Sequence, residues 1–111
     1  MNVYNEAHNL AKSIKESEEF KQYDALRKQI EANEELNNMI KGFEKKQLEL
    51  QAKQLMGEDP GDMTQAVNEL TQIVIKNPMA AQYLQAQMRF TLMMNDVYKI
   101  LADAIGLGNI G

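Results

Sequence analysis

The sequence predicts an all-α fold, a bundle of about five helices that oligomerises through helix packing. Apolar residues recur at every third or fourth position along most of the chain, which is typical of amphipathic helices. No segment alternates β-branched and polar residues over a length that favours a strand. With 111 residues, of which 44% are hydrophobic and 25% charged, we expect one helical domain over residues 1–105 and a flexible tail over 106–111.

The first two predicted helices are joined at Ser17. The first helix is expected to end near this residue, and the serine hydroxyl is expected to cap the second helix by accepting a free backbone N–H. Glu18 and Glu19 follow in the first turn, where carboxylates favour the positive end of the helix dipole. The apolar stripe of the first helix consists of Val3, Ala7, Leu10, Ala11 and Ile14, and that of the second consists of Phe20, Tyr23, Leu26 and Ile30.

The third predicted helix is the first of two long ones. Asn33 is expected to cap it, and the helix is predicted to run over about residues 34–56, because no proline interrupts the pattern before Pro60. Its apolar stripe changes direction part of the way along. The first stripe consists of Leu36, Met39, Ile40 and Phe43, and the second consists of Leu48, Ala52 and Leu55.

A turn separates the third helix from the fourth. Two glycines and a proline within residues 57–61 break the helical pattern. Asp62 is then expected to cap the fourth helix through its side chain. The apolar face of this helix consists of Met63, Ala66, Val67, Leu70, Ile73 and Val74.

The fifth helix begins at the clearest boundary in the sequence. Asn77 is expected to cap it, and Pro78 suits the first helical position because the N–H that proline lacks has no partner there. The helix is predicted to run over about residues 78–105 and to end with Gly106 in a left-handed conformation. One apolar row consists of Tyr83, Ala86, Phe90, Met93, Val97, Ile100 and Ala104, and a second row consists of Leu84, Met88 and Leu92.

The fifth helix is longer and more apolar than one chain can cover. At 1.5 Å per residue it spans roughly 42 Å, against roughly 35 Å for the diameter of a compact domain of this size. Because both of its apolar rows need covering, we expect a homodimer or higher oligomer, and another protein as a further partner. The positions predicted to lie at the oligomer interface are Leu48, Leu55, Leu84, Met88 and Leu92.

The composition excludes several classes of chemistry. The absence of cysteine removes disulfides, thiolate zinc sites, iron–sulfur ligands and thiol nucleophiles. A net charge of −4 disfavours nucleic acid and anionic membranes. The start of the chain lacks the basic and apolar regions of a signal peptide, and no apolar run is long enough to span a bilayer, which predicts a cytoplasmic protein. We predict no enzyme activity, no catalytic residue, no cofactor and no metal site.

Three features resemble functional motifs but are interpreted structurally. Residues 106–111 match Gly-x-Gly-x-x-Gly, but a dinucleotide site needs a strand before that motif and a helix after it. The acidic segment 58–62 lacks the spaced ligands of an EF-hand loop, so we interpret it as a solvated turn. His8, the single histidine, has no nucleophile at a useful spacing and is interpreted as a surface residue.

A basic face on the third helix leaves an alternative function open. It consists of Lys41, Lys45, Lys46 and Lys53. Glutamates alternate with these lysines, which is typical of a solvated helix surface with ion pairs between neighbouring turns. The alternative is that the chain is an RNA-associated helper that binds through these lysines.

Four segments of the sequence carry a family resemblance. They are residues 3–11 (VYNEAHNLA), 14–23 (IKESEEFKQY), 30–33 (IEAN) and 43–47 (FEKKQ). Together with the Asn77-Pro78 helix start and the long last helix, they resemble the YlbF/YmcA family of small helical bacterial proteins, most closely its YheA-like branch.

This resemblance implies an all-helical fold, oligomerisation through long helices and a cytoplasmic setting in Gram-positive bacteria. It also implies a regulatory role, since better-studied members join a partner in a complex that influences competence, biofilm formation and sporulation and modulates RNase Y. The iron–sulfur clusters of that complex are bound by cysteines, which this chain lacks, so that cofactor is not carried over. The expected function is therefore that of a non-enzymatic, homo-oligomeric interaction protein linked to RNA turnover and developmental regulation.

Overall fold

The computed structural model describes residues 2–107, which form five α-helices and no strand. The helices are α1 (Val3–Glu16), α2 (Glu18–Glu31), α3 (Glu34–Leu55), α4 (Met63–Ile75) and α5 (Pro78–Ala104). The predicted fold class is confirmed, and both long helices end within one residue of their predicted limits. Most of the predicted tail, residues 108–111, lies outside the described residues.

Three of the predicted helix caps are confirmed. In each case the side chain accepts a backbone N–H from the first turn of the helix that follows. Asn2, which the sequence analysis did not identify, caps α1 in the same way. The bonds run from the Phe20 N–H to the Ser17 hydroxyl at 3.2 Å, from the Leu36 N–H to the Asn33 side chain at 3.1 Å, and from the Met79 N–H to the Asn77 side chain at 3.0 Å.

The predicted cap at Asp62 is wrong. The backbone of this residue is helical, with φ −77° and ψ −4°, and its side chain accepts no capping hydrogen bond. An N-cap residue usually has an extended backbone, which lets its side chain accept the N–H of the second or third helical residue, and the helical backbone of Asp62 departs from this. In the turn before α4, the Pro60 carbonyl accepts the Met63 N–H at 3.0 Å, and the Asp59 side chain accepts the Gly61 N–H at 3.0 Å.

The ends of the two long helices use glycine in the same way. Gly106 has a φ of +80°, which confirms the predicted left-handed conformation. The Leu107 N–H donates to the Ala102 carbonyl at 2.8 Å, so α5 ends in a Schellman motif. Gly57, with a φ of +73°, follows α3 in the corresponding position.

The chain divides into two units. The central unit comprises Leu26–Tyr83, and the terminal unit comprises Met1–Ala25 together with Leu84–Gly111. The first contains the end of α2, all of α3 and α4, and the start of α5, and the second contains α1, the start of α2 and most of α5.

The central unit holds most of the buried apolar side chains. Its helices α3 and α4 pack against each other, and Val74 on α4 is fully buried. The stripes predicted for these helices supply this core, because residues at spacings of three and four share one helix face. Its buried side chains are Ile30, Leu36, Ile40, Phe43, Val67, Val74, Ala80 and Tyr83.

Within the terminal unit, an aromatic cluster joins α2 to α5. The Phe90 ring lies 5.6 Å from the Phe20 ring in an edge-to-face arrangement. It also stacks on the Tyr23 ring at 5.3 Å. Both arrangements are favourable for aromatic pairs, yet all three side chains are only half-buried. This unit therefore has local order with little enclosed core.

Candidate protein interaction surfaces

The apolar stripe of α1 is left uncovered in the single chain. Every residue of α1 is exposed except Ile14, which is half-buried. Tyr4, beside the predicted stripe, is 79% exposed. The stripe residues Val3, Ala7, Leu10 and Ile14 are spaced by four, three and four positions, which is the spacing of a helix that packs lengthwise on another helix. This helix is therefore amphipathic, but its own chain covers its apolar face only partly, at Ile14.

The apolar row of α5 becomes more exposed toward the end of the helix. Tyr83 and Ala86 are buried, whereas Ile100 is 66% exposed. Phe90, Met93 and Val97, which lie between them, are half-buried. Beyond Val97, large apolar side chains are exposed in several directions around the helix. They are Tyr98, Ile100, Leu101 and Ile105.

The predicted interface positions fall into two groups. Met88 and Leu92 on α5 are 64% and 58% exposed, and Leu84 one turn earlier is half-buried. Leu48 and Leu55 lie on α3 in the central unit, where Leu55 is 89% exposed. The structure thus places these five positions on two different helices and in two different units.

The four lysines predicted as a basic face lie along α3. Lys41, Lys45 and Lys46 are exposed, and Lys53 is half-buried. Lys46 lies 3.9 Å from the Glu49 carboxylate in an exposed ion pair, which contributes little to stability. Lys41 and Lys45 form no ion pair with any described residue.

The exposed residues of α3 follow a heptad spacing that the sequence patterns described above do not include. Seven exposed positions follow one another at alternating intervals of four and three over the whole length of the helix. This is the heptad spacing of a coiled-coil seam, and it was visible in the sequence once polar residues were counted with apolar ones. The seam, called the α3 seam below, consists of Glu34, Asn38, Lys41, Lys45, Leu48, Ala52 and Leu55.

The residues of the motif-like features lie at the surface. His8 is exposed on α1. In the 58–62 turn, Asp59 accepts a backbone hydrogen bond. Within residues 2–107, no group of three His, Asp or Glu side chains is placed to hold a metal ion.

The described clefts of the central unit are small or open. One, of about 90 Å³, is lined by residues of both charges that include Arg27, Glu31 and Lys41. Another, of about 210 Å³, lies between the starts of α3 and α5 and is lined by residues that include Asn33, Met39 and Asn77. Both are smaller than the roughly 300–1,000 Å³ of typical ligand pockets. A third is a surface depression beside the α2–α3 connection, whose lining residues are all exposed. None of the five described helices combines the length and hydrophobicity needed to cross a bilayer.

The fold and these surfaces define a class of small all-helical protein with uncovered apolar helix faces. A sequence model described as "Control of competence regulator ComK, YlbF/YmcA" matches residues 3–106. The chain therefore belongs to the YlbF/YmcA family, as its sequence segments suggested.

Relatives and a solved structure agree with this assignment. A UPF0342 protein of Caldicellulosiruptor bescii is 42% identical over 105 residues, which cover 94% of this chain and 88% of the relative. A UPF0342 protein of Symbiobacterium thermophilum is 35% identical over 93% of each chain. Bacillus subtilis RicA, solved in complex with RicF, is 21% identical with a TM-score of 0.60 and covers 94% of this chain and 93% of its own, which supports the helical fold.

Proposed function

We propose that this chain is a non-enzymatic regulatory protein that acts by binding other polypeptides, and that it forms a homodimer through the apolar residues of α1 and α5. The exposure of four of the five residues of the apolar stripe of α1, all except the half-buried Ile14, carries this proposal. Burying apolar surface is favourable by roughly 25 cal/mol per Å². The residues left exposed on α1 and α5 can therefore supply a large part of the free energy of association.

The spacing of the apolar residues on α1 and α5 favours a second copy of this chain as the partner. The stripe of α1 and the apolar row of α5 both have the spacing used in lengthwise helix packing. A two-fold symmetric dimer brings the same surfaces of both subunits together, so one chain supplies both helices twice. We also assign to this interface the second apolar row of α5, which consists of Leu84, Met88 and Leu92 at intervals of four. Leu48 and Leu55 lie among lysines on α3 and are not assigned to it.

Family membership supports the regulatory part of the proposal. The family description refers to control of a competence regulator, and the solved structure of RicA contains a second protein, RicF. By analogy, we propose that the dimer of this chain also binds another protein, in a pathway of RNA turnover or developmental regulation in the cytoplasm.

The oligomer is tested by measuring molar mass with light scattering after size exclusion, at several micromolar concentrations. The wild-type chain is expected to have twice the mass of one chain. Met88→Asp with Leu92→Asp is expected to weaken association by at least about 100-fold, because burying unpaired carboxylates costs several kcal/mol. Gln82→Asp, at an exposed polar position of α5, is the control and should leave the mass unchanged.

Two results would contradict this proposal. A wild-type chain that remains monomeric throughout the concentration range removes the dimer. A double variant that is folded by circular dichroism and still dimeric removes the assignment of Met88 and Leu92. The alternative function is tested with the same protein: RNA binding that weakens with salt and is lost when Lys41, Lys45, Lys46 and Lys53 become alanine would favour it.

A further inference from the structure

The α3 seam is a second interaction surface, separate from the apolar residues of α1 and α5. All seven of its residues are exposed, and all lie in the central unit. In heptad terms Asn38, Lys45 and Ala52 occupy one row of core positions, and the other row consists of Glu34, Lys41, Leu48 and Leu55. A seam of this length is long enough for another helix to pack along it.

The chemistry of the seam changes along the helix. Its second half is apolar, with Leu48 at 66% and Leu55 at 89% exposure. Its first half is polar, and Lys41 and Lys45 there lack an ion pair within the described residues. A helix that covered the seam would bury these ammonium groups at least partly, so it would need to supply carboxylates opposite them.

A second copy of α3 does not supply those carboxylates. In a parallel pair each core residue lies opposite its own copy, so Lys41 would face Lys41 and Lys45 would face Lys45. In antiparallel registers that overlap at least about three quarters of the helix, each of these lysines would face another lysine or an apolar side chain such as Leu48. Glu34, the carboxylate of the seam, faces Lys45 only in a register that overlaps about half of the helix. Like charges in core positions select against such pairing. The charge pattern therefore favours a different helix.

We infer that the α3 seam is the docking site for a helix of another protein, which carries carboxylates opposite Lys41 and Lys45 and apolar side chains opposite Leu48, Ala52 and Leu55. The apolar half supplies the affinity, and the lysines set the register and select the partner. Because Ala52 is small, it accommodates a large apolar side chain of the docked helix. This assignment does not depend on self-association through α1 and α5.

The probe for this inference is a synthetic amphipathic helix of about 28 residues, four heptads long. It carries Glu at the core positions that face Lys41 and Lys45 and Leu at those that face the apolar half. The probe is made in both sequence orders, so that either helix direction can pair. A second peptide has Lys in place of those Glu residues. Binding to the full-length protein is measured by fluorescence anisotropy, and the acidic peptide is expected to bind at least about tenfold more tightly than the basic one.

Charge variants of the protein test which lysines make it prefer the acidic peptide to the basic one. Lys41→Glu with Lys45→Glu is expected to reverse the preference, so that the basic peptide binds more tightly than the acidic one. Lys46→Glu with Lys53→Glu makes the same change of charge on the same helix but off the seam, and it should keep the wild-type preference. Measuring both variants at low and high salt separates a local pairing from a general effect of net charge.

Apolar variants test the second half of the seam. Leu48→Asp with Leu55→Asp is expected to weaken peptide binding by at least about tenfold, because the carboxylates would lose water on docking. Gln47→Asp with Gln54→Asp is the matched control, with the same charges, the same spacing and exposed positions one residue away. The control is expected to bind the acidic peptide like the wild type.

Four outcomes would overturn the inference. The first is equal binding of the two peptides, or binding of neither, by the wild-type protein. The second is equal loss in the seam variants and their controls. The third is a lower molar mass of the Leu48→Asp/Leu55→Asp variant, which would identify the seam as a contact between copies of this chain. The fourth is that Lys41→Glu with Lys45→Glu abolishes binding to a single-stranded RNA but leaves peptide binding unchanged, which would assign the lysines to nucleic acid.

Discussion

The central and terminal units contain helices of the same kind but differ in what covers them. Eight of the nine buried apolar side chains in the described part of the chain lie in the central unit, and Ala86 is the exception. In the terminal unit, α1 has an apolar stripe at regular spacing, yet none of its residues is buried. An apolar stripe thus indicates which face of a helix is to be covered, but the covering can come from the same chain or from another.

The largest expected contrast concerns the core of the central unit. Phe43→Ala should lower the free energy of unfolding by about 3–5 kcal/mol, because a buried aromatic side chain would be replaced by a cavity. Leu55→Ala, on the same helix but exposed, should change it by less than about 0.5 kcal/mol. Urea unfolding followed by circular dichroism checks both values. Equal effects of the two variants would mean that the helices of the central unit do not enclose the core described.

The second contrast concerns how fast the backbone amides of the two units exchange with solvent as the protein is diluted. If α1 and the end of α5 are covered by a second copy, diluting the protein below its dimer dissociation constant should speed their amide exchange by at least about tenfold. Exchange in α3 and α4 should change much less, because α4 packs on α3 within one chain. Hydrogen exchange with mass spectrometry measures both regions in one sample. Equal acceleration in both units would show that they open together.

The smallest contrast concerns two helix starts within the central unit. Asn77→Ala should destabilise the protein by about 1 kcal/mol, because the side chain accepts the N–H groups of Met79 and Ala80. Asp62→Ala should cost less than about 0.5 kcal/mol, since Asp62 makes no capping bond. Thermal and urea unfolding of the two variants provide the comparison. A larger loss at Asp62 than at Asn77 would contradict the hydrogen bonds described here.

Local features of the fold were largely readable from the sequence. Caps at Ser17, Asn33 and Asn77 depend on a side chain and the few residues that follow it, so sequence alone identified them. Asp62 was the exception, because its backbone is helical rather than extended and its side chain accepts no N–H of α4. The backbone conformation at this position depends on the path of the preceding turn, which residue types do not reveal.

The residues of the candidate surfaces could be predicted only partly from the sequence. Met88 and Leu92 were predicted to lie at an interface because they belong to a second apolar row on α5, and both are exposed in the structure. Lys41 and Lys45 were predicted to form a basic face. The spacing that places them with Leu48 and Leu55 in the α3 seam is present in the sequence, but only the structure shows that all seven positions of the seam are exposed.

By itself, the sequence determined five helices, their limits to within about a turn and the apolar face of each, because hydrogen bonding within a helix and its capping involve residues close in the chain. The tertiary structure decided which of those faces are covered. The stripe predicted around Phe43 became core, while that of α1 stayed exposed. Burial depends on residues distant in sequence arriving at the same place, and helical periodicity carries no information about which face meets which.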